Sequence, residues 1–200
     1  MMRHSLKKYG LSSMHKAKSA PIAVPFSWYT IVATWFYVGR IRIAPGTWGS
    51  LATFPLFYFI LSISHNVADI QYLSGLMLVG LFFLGWWAVH IFERVTQSHD
   101  HSCIVIDEVV GMLLVITLAF KEAYQTAMVL YPLLQVSPSI AAFGIILLIF
   151  RYFDIRKPFF IKYIDRAMKN SLSVLLDDMA AALFAVGVLK VVGLVVERII

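Results

Sequence analysis

Residues 72–92 read YLSGLMLVGLFFLGWWAVHIF, twenty-one positions without an Asp, Glu, Lys or Arg. A helix needs roughly 20 predominantly apolar residues to cross the hydrocarbon of a bilayer. This stretch reaches that length unaided, and it decides the fold class: the chain is built for a membrane. The other apolar runs, at about 22–38, 51–64, 104–120, 127–150 and 172–196, are each shorter or interrupted. Asp107 and Glu108 stand near the start of the 104–120 run, and Pro132 and Pro138 predict that the 127–150 run breaks in two. No period-two alternation, internal repeat or low-complexity linker interrupts this pattern. The expectation is an all-α fold, a compact multi-helix membrane bundle over residues 26–200 behind a basic arm at 1–25.

Composition agrees. Hydrophobic residues make up 60% of the chain, charged residues 14%, and the mean hydropathy is +0.79. Soluble domains lie near ~45–50% apolar and ~25% charged. The net charge of +6 is unevenly placed: residues 1–50 hold seven basic residues and no acid, while the rest carries ten cations against eleven anions. A basic arm ahead of the first apolar run reads as a cytoplasmic segment beside anionic lipid. In so apolar a chain this outweighs a nucleic-acid-binding arm, and no small-residue cleavage site closes the first run as a secretory signal would. Cys103 is the sole cysteine, so neither an intramolecular disulfide nor a cysteine-based zinc cluster can form.

The polar residues gather where apolar runs begin or end. In RIRIAPGTWGSLATFP, 40–55, Pro45-Gly46 signals a turn, and Ser50 is placed to cap a helix starting at Leu51. Thr47, Ser50 and free backbone N–H groups there could hold an anion; an ordinary capping turn accounts for the same residues. In SHDHSCIVIDEVVGM, 98–112, His99, Asp100, His101, Ser102, Asp107 and Glu108 fall within ten positions. Acids at a helix start complement its dipole, but Asp107 and Glu108 lie inside an apolar run. A buried carboxylate there needs a cation, a metal or a proton. Gly111 shares the face of Asp107 and leaves room beside it.

In RYFDIRKPFF, 151–160, Arg151, Asp154 and Lys157 recur every three residues as one helical stripe, with Arg156 pointing elsewhere and Pro158 ending the helix. An ion-pair stripe at the lipid–water boundary is the structural alternative. Asp165 and Arg166 repeat the theme. In SLSVLLDDMAAALFAVG, 171–187, Asp177 and Asp178 interrupt a run whose small residues permit close helix approach. Asp107, Glu108, Asp154, Asp177 and Asp178 are the hard oxygen donors that Mg²⁺ takes. Arg151, Arg156, Lys157 and Arg166 suit phosphate. Together they describe a site for metal-assisted phosphoryl chemistry.

APGTWGS, HDHSCIVIDEVVGM, FRYFDIRKP, the Asp165-Arg166 pair and DDMAA, in this order, resemble the phosphatidylglycerophosphatase A family over about residues 31–190. The resemblance implies an all-helical, Mg²⁺-dependent, multi-pass phosphatase of the bacterial inner membrane. Its phospholipid substrate would be phosphatidylglycerophosphate, converted to phosphatidylglycerol and phosphate at the cytoplasmic face. It marks Pro45, Gly46, Thr47, Gly49 and Ser50 as a phosphate or metal-shell loop, together with His99, Asp100, Asp107, Glu108 and Gly111. Arg151, Asp154, Lys157, Pro158, Asp165, Arg166, Asp177 and Asp178 complete the set. In this frame Asp107, Glu108, Asp177, Asp178 and Asp154 are the metal candidates, and Asp107, Glu108, Asp154 and His99 the catalytic ones, with His99 as proton donor. Arg151, Lys157, Arg166, Thr47 and Ser50 are assigned to the substrate phosphate. The chain departs from the family at NSLS, 170–173, where a Gly-rich segment is usual, and at Ala182, where Gly is usual. A small ion or proton transporter is the rival from another class; it predicts acids strung along a path rather than gathered at one depth.

Overall fold

The computed structural model describes residues 26–99, 101–156 and 171–198. It is helical, and no strand occurs among the described residues. The elements are α1 (Trp28–Ala33), a 3-10 turn (Val38–Arg40), α2 (Pro45–Leu51), α3 (Phe54–Ile63), α4 (Val67–Thr96), α5 (Ile106–Leu134), α6 (Pro138–Arg156) and α7 (Ser171–Val196). Four segments are long and apolar enough to cross a membrane: Pro45–Ile63, Val67–Thr96, Pro138–Arg156 and Ser171–Val196. The chain is a membrane protein of the expected all-α class.

Helix α5 is the centre, packed by α4, α6 and α7. Its first eleven residues, Ile106 to Ile116, are buried on every side, as a helix apolar all round must be. Contacts fix the directions of its neighbours. Thr117 meets Ser74 and Gln71 of α4, whereas Ile106 meets Gly85, so α4 and α5 are antiparallel. Glu108 meets Arg151 and Gly111 meets Phe150, so α6 also runs against α5. Asp107 lies by Asp178, while Glu122 pairs with Lys190 and packs on Gly193. Helices α5 and α7 therefore run parallel. The ends of α4 and α6 and the starts of α5 and α7 converge at one end of the bundle.

The 127–150 run breaks in two as expected: α5 continues through Pro132 to Leu134, and α6 starts at Pro138. The first piece is continuous with the 104–120 run, which the sequence had kept apart. The only irregularity inside α5 is at Ala119 (φ −139°, ψ 16°). Lys121 and Glu122, inside α5, are matched across helices: Glu122 by Lys190 at 2.6 Å, and Lys121 by Glu197 at 3.4 Å. Fifteen residues of α5 separate Asp107 from Glu122, about 22 Å at ~1.5 Å per residue, so this second charged group sits toward the opposite side of the bundle. Ser50 does not cap a helix at Leu51. Pro45, with its φ preset for a first helical turn, starts α2 six residues earlier, and Ser50 falls near its end.

Close helix approach depends on glycine at a few points. A Cβ on Gly111 would lie 2.6 Å from Phe150 Cζ and 3.4 Å from the Asp178 carbonyl oxygen. The space beside Asp107 is thus filled by α6 and α7. Gly111→Val should lower stability by about 2 kcal/mol through overpacking, read as a fall in melting temperature in detergent. Gly144→Ala, where nothing lies within 4 Å of the added methyl, should leave the melting temperature unchanged or raised.

Candidate functional site

Asp107 and Glu108 occupy the first turn of α5, and Asp178 the second turn of α7. One carboxylate oxygen from each lies within 4.8 Å of the others. Parallel packing of α5 and α7 brings these acids together, and the N-terminal dipole end of α5 favours negative charge at Asp107 and Glu108. All three are less than 10% exposed, as are Asp154 and Asp177. Arg151 stands beside them. Its Nη1 is 3.7 Å from Glu108 Oε1 and also pairs with Asp154 one turn along α6. The Arg151–Asp154 part of the i,i+3 stripe read from the sequence points inward, tying Asp154 to the cluster. Arg156 turns away, its guanidinium 5.9 Å from the Tyr152 ring centre.

Two buried polar atoms mark the site as made for a ligand. Glu108 Oε2 accepts no hydrogen bond and Arg151 Nε donates none among the described residues. Both costs are large in a water-poor setting. Closely spaced carboxylate oxygens without nitrogen or sulfur donors are the ligand chemistry of a hard divalent cation. The chemistry of Asp107, Glu108 and Asp178 therefore fits a divalent cation such as Mg²⁺, which these three could hold. Asp177 is equally buried, yet it is not one of the three acids whose ligand oxygens converge.

The α2 loop approaches the same place. A Cβ on Gly46 would lie 2.1 Å from Glu108 Oε1 and 3.0 Å from Arg151 Nη1, so only a glycine backbone fits over the Glu108–Arg151 pair. Gly49 packs on Val105 in the same way, its Cβ position 2.7 Å from Val105 Cβ. Ser50 is fully buried and donates its hydroxyl to the Gly46 carbonyl at 2.9 Å; it holds the loop rather than presenting a donor. The Thr47 and Trp48 N–H groups both bond the Ala44 carbonyl. Thr47 keeps an exposed side chain.

His99 is placed apart from the carboxylates. Its Nδ1 is 2.6 Å from Glu93 Oε1, and it lines an open cavity of about 520 Å³ with His90, Glu93, Arg94 and Ser171. Ser171 donates to Glu93 Oε2 and lies 3.4 Å from His90 Nδ1. Sequence reading missed His90, Glu93 and Ser171 as a group, although Glu93-Arg94 directly after the longest apolar run was the signal. Burial pushes the Cys103 thiol up, so it stays protonated and is no nucleophile. Asp100, Lys157, Pro158, Asp165 and Arg166 lie outside the described residues.

A helical bundle with four membrane-length apolar segments that gathers buried carboxylates and an arginine at one end is a membrane protein with a candidate ion site. Comparison with known proteins narrows the class. The phosphatidylglycerophosphatase A family profile matches residues 31–193, and the chain belongs to that family. It is 33% identical over 159 residues to Phosphatidylglycerophosphatase A of Haemophilus influenzae, covering 78% of this chain and 83% of that protein. It is 26% identical over 163 residues to Phosphatidylglycerophosphatase A of Escherichia coli, covering 82% of each. No solved structure gives a significant match.

Gly46→Ala tests the geometry without removing a charge. The variant should fold, but Mg²⁺ should no longer raise its melting temperature as it does for the parent, since ligand stabilisation follows RT ln(1 + [L]/Kd). An equal Mg²⁺-induced rise in both proteins would show that Gly46 does not shape the site.

Proposed function

We propose that the chain is a Mg²⁺-dependent phosphatidylglycerophosphatase, releasing inorganic phosphate from phosphatidylglycerophosphate and leaving phosphatidylglycerol. The observation that carries this reading is the convergence of Asp107, Glu108 and Asp178 around a shared space with Arg151 at its edge. Family membership and the names of both relatives support the choice of substrate. A transporter would string its acids along a crossing path; here three acids from two helices meet at one depth.

Mg²⁺ held by Asp107, Glu108 and Asp178, with Asp154 and Asp177 nearby, would draw charge from the phosphoryl oxygens as a Lewis acid. Arg151 is already oriented by Glu108 and Asp154, and its buried Nε has no other acceptor among the described residues. It is poised to meet phosphate oxygens as a planar fork. Lys157 and Arg166 are assigned the same role from the sequence, and the Thr47 hydroxyl is available from the loop. Ser50 keeps that loop closed over Glu108. His99, with Nδ1 held by Glu93, has Nε2 left to pass a proton to the departing glycerol oxygen. The attacking group is either water or one Asp carboxylate.

The site end is also the more basic end. Arg94, Arg151 and Arg156 are there, and the sequence places five more cations ahead of α1, whose Trp28 packs on Trp87 near the end of α4. At the other end Lys121 and Lys190 are matched by Glu197 and Glu122. By the positive-inside tendency this supports a site at the cytoplasmic face of the inner membrane. Phosphate bonds would then be cut where water reaches the head group, while the acyl chains remain in lipid.

Phosphate release from phosphatidylglycerophosphate by the purified protein tests the reading. Release should stop with a chelator and return with excess Mg²⁺. Arg151→Ala should lower kcat by about a hundredfold, the loss that follows removal of one preorganised transition-state donor. Release that persists undiminished in chelator would remove the metal. Release only from unrelated phospholipids would remove the substrate.

A further inference from the structure

One face of α4 changes character steadily toward its end. Phe83, Trp87, His90 and Arg94 follow at steps of three or four residues, the spacing that holds side chains on one stripe. Two cavities lie along this stripe and share His90 as a wall. The first, of about 320 Å³, is lined by Phe83, Trp86, Trp87 and His90. The second is the 520 Å³ polar cavity that Arg94, His99 and Ser171 help to line. Phe83 and Trp87 are each 58% exposed, so the apolar cavity opens on the outer face of a membrane span. Tryptophans at such a position mark the level of the head groups.

We propose that this stripe is a binding groove for a diacyl glycerophospholipid with an anionic phosphodiester. An acyl chain lies against Phe83 and Trp87, and the phosphodiester sits among Arg94, His90 and Ser171. Arg94 brings a permanent positive charge to the lining of the polar cavity, which suits an anionic occupant. Glu93 also lines it, with its carboxylate held by His99 Nδ1 and Ser171 Oγ. A merely lipid-coated helix needs an apolar exterior; it needs no polar cavity closed by a serine from another helix. Ser171 opens α7, and Asp178 follows seven residues later, about 10 Å at ~1.5 Å per residue. The groove thus borders the carboxylate cluster along α7, and the substrate's diester would rest here while its terminal phosphate meets the carboxylates. The choice of lipid rests on the proposed function; the polarity ramp does not.

Quenching of tryptophan fluorescence by phosphatidylglycerol with brominated acyl chains tests the groove directly, using the full chain in neutral-detergent micelles. Quenching should saturate. Unbrominated phosphatidylglycerol should reverse it at about tenfold lower mole fraction than phosphatidylcholine, the effect of one charge-assisted hydrogen bond. Arg94→Gln should erase that preference, and Trp87→Phe should reduce the quenching itself. Equal reversal by the two lipids in the parent, unchanged in Arg94→Gln, would reduce the stripe to ordinary lipid contact and overturn the proposal. Phosphate release separates the two ideas. A lipid preference without hydrolysis leaves the groove standing and removes the phosphatase reading; hydrolysis without a preference does the reverse.

Discussion

Three carboxylates with oxygens within 4.8 Å of one another are the constraint on which the rest of this structure depends. At an effective dielectric constant near 20, each pair of full charges at that separation repels by about 3.5 kcal/mol, and there are three such pairs. Arg151, 3.7 Å from Glu108, returns about 4.5 kcal/mol on the same scale, and it is shared with Asp154. Under the proposed reading a divalent cation held by the three acids would offset this repulsion while Arg151 meets the phosphate.

The fold serves this arrangement through direction and closeness. Parallel α5 and α7 bring the start of one beside the second turn of the other, and α6 runs back against α5 to deliver Arg151 and Asp154. Parallel packing of two long helices without a short hairpin is held at its far end by Lys190–Glu122 and the Gly193 contact. Gly111 lets α6 and α7 close on α5, and Gly46 lets the α2 loop lie over Glu108. The charged residues make the chemistry; the glycines set the distances over which it acts.

Much of the site was legible in the sequence because buried charge is conspicuous in an apolar chain. Asp107, Glu108, Asp154, Asp178 and Arg151 stood out for that reason, and the structure brings them together. Other features were invisible for physical reasons. The ion pairs of Lys121 and Glu122 could not be read because their partners Glu197 and Lys190 lie about seventy residues away. Ser50 was read as a cap because a hydroxyl before an apolar run usually is one; Pro45 had already started the helix. The Glu93–Ser171 link escaped notice because Ser171 drew attention only as a lost glycine. A cross-helix hydrogen bond leaves no periodic trace in either segment.

The most direct test of the central claim is electron paramagnetic resonance of Mn²⁺ bound to the purified protein, compared among the parent, Asp107→Asn and Asp178→Asn. One ion per chain in the parent, lost in both variants although they lie on different helices, is the outcome that a shared site predicts. Retention of that ion in either variant, or separate ions each sensitive to a single substitution, would contradict it.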